Sequence, residues 1–222
     1  MKNALVIGAS RGIGLEFTRQ LLKGGWSVYA TARSSSDVKS LEALNATGIQ
    51  LDVTNPSSVA GLGWTLDGLR IDLAIFVAGI YGANAGAKEV PSTLEFDAVM
   101  HTNVLGAMQL IPLIAPMLEE SGGKFIFISS LMGSIAATQS SFGWVYRTSK
   151  AALNMAVKSA STDYPGAVFA SMNPGWVQTQ MGGSNAPTSV YESVSNMLGV
   201  IESLSLRDTG SFQSYDSREM NW

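Results

Sequence analysis

Apolar residues along this chain gather in short β-rich runs, separated by longer stretches in which they recur every three to four positions. Residues 4–7 read as a strand, Gly12–Lys23 as a helix and residues 27–31 as a second strand, which makes one β-α-β unit. The alternation continues with strands expected at 49–51, 73–77, Lys124–Ile128 and 168–171, each separated by a segment able to form a helix. Such alternation implies a doubly wound, parallel α/β sheet with helices on both faces. Asn55 before Pro56 is a capping side chain followed by a residue suited to the first helical turn, and the helix it starts is expected to run to about residue 69. Pro112 and Pro116 fall inside a helical run, where a missing N–H and a ring clash are expected to bend or end the helix. No repeat, linker or shift of composition divides residues 1–222, so one domain is expected. Residues 178–188, rich in Gly, Ser, Asn and Gln after a strand, suit a mobile loop over a site.

Composition narrows the chemistry. The chain of 222 residues is 46% hydrophobic and 14% charged, far from the disordered range, and its formal charge of −3 with no Lys or Arg run argues against nucleic acid as a partner. With no cysteine and one histidine, disulfides are excluded and a zinc site built from His and Cys nearly so, so no metal is expected and any redox chemistry must come from a cofactor. The opening apolar run is too short for a secretory signal. The apolar stretch 99–118 is broken by His101, Asn103, Gln109 and two prolines and reads poorly as a membrane span. A soluble cytoplasmic protein is the expectation, with the mature chain starting at Met1.

After the first strand the chain reads Gly8-Ala9-Ser10-Arg11-Gly12-Ile13-Gly14. Glycines at a strand-to-helix turn let backbone approach a pyrophosphate, and the helix N-terminus offers unpaired N–H groups and a positive dipole end. Three glycines alone are also what a tight turn requires; the β-α-β context is what favours a dinucleotide. At the end of the second strand stands Arg33, where NAD-selective enzymes carry an acidic residue for the ribose hydroxyls. Arg33, with Arg11 in the turn, can grip a ribose 2′-phosphate, which favours NADP(H) over NAD(H).

Further along, Tyr146-Arg147-Thr148-Ser149-Lys150 opens a helix, and its Tyr and Lys, four apart, share one helix face. A tyrosine with an ordinary pKa near 10 is a poor acid or base at neutral pH, and a neighbouring ammonium that stabilises the phenolate is the partner it needs.

In chain order, the Gly8 to Gly14 turn, Leu51-Asp52-Val53, Ala78-Gly79, Asn103, Ser130, Tyr146 with Lys150, and Pro174-Gly175 resemble the short-chain dehydrogenase/reductase family over essentially the whole chain. The resemblance implies a Rossmann-type sheet of about seven strands with the cofactor across the strand ends. It implies Tyr146 as the general acid or base, Lys150 as the group that lowers its pKa and binds the nicotinamide ribose, and Ser130 as the group that polarises the substrate carbonyl. Asn103 would hold a water in a proton relay leading from Lys150. Gly8, Ser10, Arg11, Gly12, Ile13 and Gly14 would cradle the phosphates; Asp52 and Val53 would flank the adenine; Ala78 and Gly79 would lie beside its ribose. Pro174, Gly175, Val177 and Thr179 would hold the carboxamide end. The family also implies a homodimer or homotetramer, and a small carbonyl or alcohol as substrate.

Three departures stand out. Val77 replaces an asparagine that usually braces the central strands, Ile7 replaces a threonine before the first glycine, and the commonest position of the catalytic serine falls on Gly133. Ser130 is the choice, with Ser134 in reserve, because the stretch from Ser129 to Ser134 resembles the carbonyl reductase and C-factor subgroup. Pro174-Gly175-Trp176-Val177-Gln178-Thr179, Met181-Gly182-Gly183 and the ending Tyr215 to Trp222 resemble it too, and lead to the expectation of a complete C-terminus. Met132, Phe142, Trp144, Trp176 and Met181 are expected near the nicotinamide, pointing to an apolar or aromatic substrate, although core packing explains each equally well. His101 reads as a structural polar residue. The main rival is a nucleotide-binding sensor with little turnover. An extended-branch epimerase needs more chain after Lys150, and a methyltransferase would not need the Tyr and Lys pair.

Overall fold

Residues 2–222 are described by a computed structural model. Strands β1 (Asn3–Ile7), β2 (Ser27–Ala32), β3 (Thr47–Gln50), β4 (Leu73–Phe76), β5 (Lys124–Ile128), β6 (Val168–Asn173) and β7 (Ser211–Ser214) join one parallel sheet in the order β3-β2-β1-β4-β5-β6-β7. The central strands are buried on both sides because helices cover both faces. Along β5, Phe125 and Phe127 point to one core and Ile126 and Ile128 to the other. The first core is closed by α3 (Pro56–Leu66), α5 (Gly106–Ser121) and α6 (Trp144–Ala160), the second by α1 (Gly12–Lys23), α2 (Ser35–Glu42) and α7 (Val190–Ser203).

Two strands escaped the periodicity. β3 begins two residues before the expected 49–51, because its Thr-Gly start carries no β signal and Gly48 is instead required by packing: a Cβ there would lie 2.8 Å from Val38 Cγ1 of α2. β7 has one apolar residue, Phe212, in four, and is defined by its pairing with β6. α3 starts as expected, Asn55 accepting hydrogen bonds from the N–H groups of Ser57 and Ser58, but stops at Leu66, because Asp67 turns extended and Gly68 adopts φ +71°.

The prolines behave differently from expectation. Helix α5 runs through both Pro112 and Pro116, which lie one turn apart on its exposed side, where water can serve the carbonyls they leave unpaired. The irregularity sits earlier: a π-helical turn, His101–Leu105, joins α4 (Thr93–Met100) to α5 and carries Asn103 inward. The run Thr93–Ser121 is long and apolar enough to cross a membrane by length and composition, and in this fold Leu110, Ile111, Ile114, Ala115 and Leu118 pack it on the sheet.

Phe127 lies between Phe76, Phe125 and Phe169, with ring centroids 4.2 to 6.2 Å away. Truncation there leaves a cavity that the rigid strands cannot collapse. Phe127→Ala is therefore expected to lower the unfolding free energy by about 3–5 kcal/mol, read from the urea midpoint.

Candidate active site

The chain leaves β1 for β2 on one side, while β4 lies on the other, so a crevice opens at the carboxyl ends of β1 and β4. The glycine-rich turn forms its floor. Gly8 has φ +90°, and a Cβ on it would lie 2.8 Å from the Ala78 nitrogen; a Cβ on Gly14 would run into the Gly8 carbonyl. Helices α2, α3, α4 and α7 are capped by Ser34, Asn55, Ser92 and Ser189, whereas Arg11 at the start of α1 makes no side-chain cap. The first-turn N–H groups of α1 are thus left to a ligand, and an anion is what they and the helix dipole suit. The hydroxyl that Ile7 lacks comes from β2: the Gly8 N–H donates to Thr31 Oγ1 at 3.1 Å, and the Ala9 N–H to the Thr31 carbonyl. Where an asparagine side chain would brace the strands, the N–H groups of Val77 and Ala78 both donate to the Ile7 carbonyl.

Around this floor the predicted nucleotide residues fall into two groups. Ser10 and Ile13 are half-buried in the turn, while Arg11 and Arg33 stand exposed at the ends of β1 and β2. The Asp52 carboxyl is held below its usual range, first by the Thr54 hydroxyl and N–H and further by the nearby Arg33 charge. Val53 faces inward, buried against Gly106 at the start of α5. On the far side, Gly175 has φ +80° and sits against the Tyr215 ring, and the Pro174 carbonyl accepts from Ser193. Val177 is buried and bridges to Thr188, and Thr179 reaches back to Gly12, where a Cβ would lie 3.4 Å from Thr179 Cγ2. The loop expected over the site is therefore present. It is tied internally by Trp176 Nε1 donating to the Gly182 carbonyl and Gln178 Nε2 to that of Ala186.

The polar cluster lies at the carboxyl ends of β4 and β5. Tyr146 and Lys150 are both buried on the inner face of α6. Lys150 Nζ donates to the Ile128 carbonyl at 2.7 Å and lies 5.6 Å from the centre of the Tyr146 ring. Burial pushes the Tyr146 hydroxyl well above the ordinary tyrosine range, its hydrogen bond with Ser130 drawing it partly back. Burial alone brings the Lys150 ammonium down to about 8. Asn103 donates to the Ile80 carbonyl and to Ser149 Oγ and accepts from the Ile80 N–H; Ser149 in turn donates to the Tyr146 carbonyl. A Cβ on Gly79 would lie 3.3 Å from Asn103 Oδ1 and 3.6 Å from Lys150 Nζ, so both groups crowd this turn.

The three serine positions separate cleanly. Ser130 faces Tyr146 and accepts from the Met132 N–H. Gly133 packs on the Lys150 backbone, where a Cβ would lie 2.8 Å from Lys150 Cβ, so no side chain fits. Ser134 is buried and engaged elsewhere: it donates to the Asn221 carbonyl at 2.8 Å and accepts from the Ala137 N–H. Trp144 is half-buried and lines, with Met132, Arg147, Thr148 and Ala151, a groove of ≈240 Å³ between α6 and the serine turn. Phe142, Trp176 and Met181 are about half exposed, and His101 is exposed on the π-helical turn.

Two side chains, Asn173 and Tyr81, and the contacts of the C-terminal tail were not anticipated from the sequence. Asn173 Oδ1 accepts from the N–H groups of Leu131 and Gly175, tying the serine turn to the loop after β6. Tyr81 lies with its ring centroid 4.7 Å from that of Tyr146. The tail after β7 doubles back, its Met220 N–H donating to the Phe212 carbonyl, and clasps the serine loop through Asn221 and through Trp222, whose carbonyl accepts from the Ala136 N–H and whose ring stacks on Phe212. Among the described residues, no group of three His, Asp or Glu could hold a metal.

The family model described as short chain dehydrogenase matches residues 2–189. The C-signal of Myxococcus xanthus is 36% identical over 68% of this chain and 93% of its own. The NADPH-bound carbonyl reductase from chicken fatty liver superposes with a TM-score of 0.88 at 32% identity, covering 100% of this chain and 99% of its own. The carbonyl reductase Sniffer of D. melanogaster does so with a TM-score of 0.91 at 29% identity, over 100% of both chains.

The tail clasp makes Ser134 and Ser130 distinguishable without any assay of turnover. Ser134→Ala is expected to lower stability by about 1 kcal/mol and to speed amide exchange at Ala136 and Ala137, because the bond to Asn221 and the cap on Ala137 are both lost. In Ser130→Ala, exchange at those two amides should match wild type.

Proposed function

The chain belongs to the short-chain dehydrogenase/reductase family of oxidoreductases, and on that premise we propose that it is an NADPH-dependent reductase of apolar carbonyl compounds with Tyr146 as its acid. The observation that carries the reading is the buried Tyr146 and Lys150 pair with the half-buried Ser130 beside it, at the same sheet end as an uncapped, glycine-floored helix terminus. Those glycines leave the room a dinucleotide needs, so the cradle fits the cofactor. The first turn of α1 would hold its pyrophosphate, Arg11 and Arg33 its 2′-phosphate, Asp52 its adenosine, and Lys150 and Thr179 its nicotinamide half. When bound, the cofactor supplies the hydride for the carbonyl carbon.

Tyr146 is protonated at neutral pH, as a tyrosine of ordinary pKa already is, and burial makes it a weaker acid still, so its proton moves only as the carbonyl oxygen gains negative charge. The Ser130 hydroxyl, held beside it by the Met132 N–H, donates to the same oxygen and orients it. The Lys150 ammonium steadies the phenolate left behind. Only one of its three donors is taken, by Ile128, which leaves others for ribose hydroxyls. Asn103 fixes the Ile80 backbone and Ser149, and so the π-helical turn, against the start of α6; it is a positioning residue in this scheme.

The carbonyl reductases it resembles, one of them NADPH-bound, support this reading, as do Arg33 and the missing acid at the end of β2. The likeness to a protein called C-signal favours the second reading, a nucleotide-binding signalling protein with little turnover. A homodimer or homotetramer is proposed as well, supported by Leu94, Leu105 and Met108 exposed along α4, the π-helical turn and α5. A monomeric mass in sedimentation at micromolar concentration would count against it.

The first test follows NADPH absorbance with aldehydes, ketones, diketones and quinones. Turnover that Tyr146→Phe lowers at least a thousandfold, with NADPH binding retained, supports the reductase; NADPH binding without turnover of any carbonyl selects the signalling reading. Because Lys150 must stay charged and burial brings it down to about 8, kcat/KM for reduction should fall as pH rises through about 8. Arg33→Ala should weaken NADPH about tenfold or more in a binding titration and leave NADH nearly unchanged, as expected for one lost charge-assisted contact.

A further inference from the structure

One aromatic ring lies against the general acid of the proposed reaction. Tyr146 is only 7% exposed, and Tyr81 lies against its ring, planes tilted by 32° and centroids 4.7 Å apart. The backbone sets Tyr81 there. Asn103 binds both the N–H and the carbonyl of Ile80, at 2.8 and 2.9 Å. Downstream, the Ala83 N–H donates to Glu95 Oε1, and the Ala85 carbonyl accepts from the N–H groups of Gly143 and Trp144 at the start of α6.

The far end of the ring is equally constrained. Gly143 has φ +66°, and a Cβ on it would run into the Tyr81 hydroxyl while lying 3.1 Å from Met132 Cε. Tyr81, Met132 and Gly143 therefore converge beside Tyr146. The charge that acts on Tyr81 is that of Arg147, whose Nε is tied to the Phe142 carbonyl. No hydrogen bond among the described residues holds the Tyr81 hydroxyl, so a phenylalanine can keep the ring's place.

We propose that Tyr81 is the specificity-determining residue of this site: with Met132 and Gly143 it forms a flat apolar wall that selects planar unsaturated carbonyl compounds, such as aryl ketones and quinones, over branched aliphatic ones. The proposal rests on the reductase reading above. A rigid flat wall gains contact with a planar substituent over its whole face, and touches a branched one at a few atoms.

The test compares kcat/KM for acetophenone and for pinacolone, with NADPH, in wild type, Tyr81→Phe, Tyr81→Leu and Tyr81→Ala, circular dichroism confirming each fold. Wild type and Tyr81→Phe should prefer acetophenone at least tenfold; Tyr81→Leu, which keeps bulk without a flat face, and Tyr81→Ala should lose about tenfold of that preference, chiefly through KM. Calorimetric binding of 1-phenylethanol to the NADP⁺-loaded protein should weaken in step. A wild-type preference retained in Tyr81→Leu overturns the inference and leaves the reductase standing. Absence of carbonyl turnover in wild type, with NADPH bound, overturns the reductase reading and this inference together.

Discussion

A lysine buried without a carboxylate partner is the constraint on which the rest of the site depends. An ammonium taken out of water is costly unless its donors are met, and Lys150 meets the Ile128 carbonyl and the neighbourhood of the Tyr146 ring and nothing acidic. Its surroundings therefore have to be close and fixed. Gly133 lets the serine turn lie directly on the Lys150 backbone, and Gly79 lets the turn after β4 approach its Nζ. Asn103 then locks that turn to α6 through Ile80 and Ser149. A cation held this way keeps spare donors, which is what a group must have to stabilise a phenolate and bind sugar hydroxyls at once. Its lowered pKa confines its charge to below about pH 8.

The same closeness explains which parts of the chain were legible. Strands β1, β2, β4, β5 and β6 carry continuous apolar runs because both their faces are covered, so the pattern found them within a residue or two. β3 and β7 sit at the edges, where pairing needs backbone alone, and their Thr-Gly and Ser-Phe-Gln-Ser sequences left little to read. The prolines of α5 misled for a related reason. Propensity counts the lost N–H, but it does not record that both residues face solvent.

At the site, residues defined by a spacing were legible: the glycines, Tyr146 with Lys150, and Arg33. Those defined by long-range contact were not. The sequence ranks Ser130 ahead of Ser134 by resemblance alone, and what engages Ser134 elsewhere in the structure is a tail folded back from 87 residues away. Asn173, Tyr81 and Trp222 act through partners far along the chain, which no local pattern records. The resemblance ranked Ser130 ahead of Ser134 and was silent on Asn173 and Tyr81.

Departures from local rules are concentrated where the chemistry is. Four helices begin with a side chain capping the first turn, whereas α1 and α6, which border the crevice, begin without one. The π-helical turn interrupts its helix at Asn103 and not at either proline. A cap on α1 would spend its N–H groups on the protein itself, and a regular turn at Asn103 would rotate that side chain relative to Ile80. Both are small losses of helix stability, accepted at positions that border the crevice. Their coincidence in one crevice is independent of any motif, and it locates the same site that the motifs do.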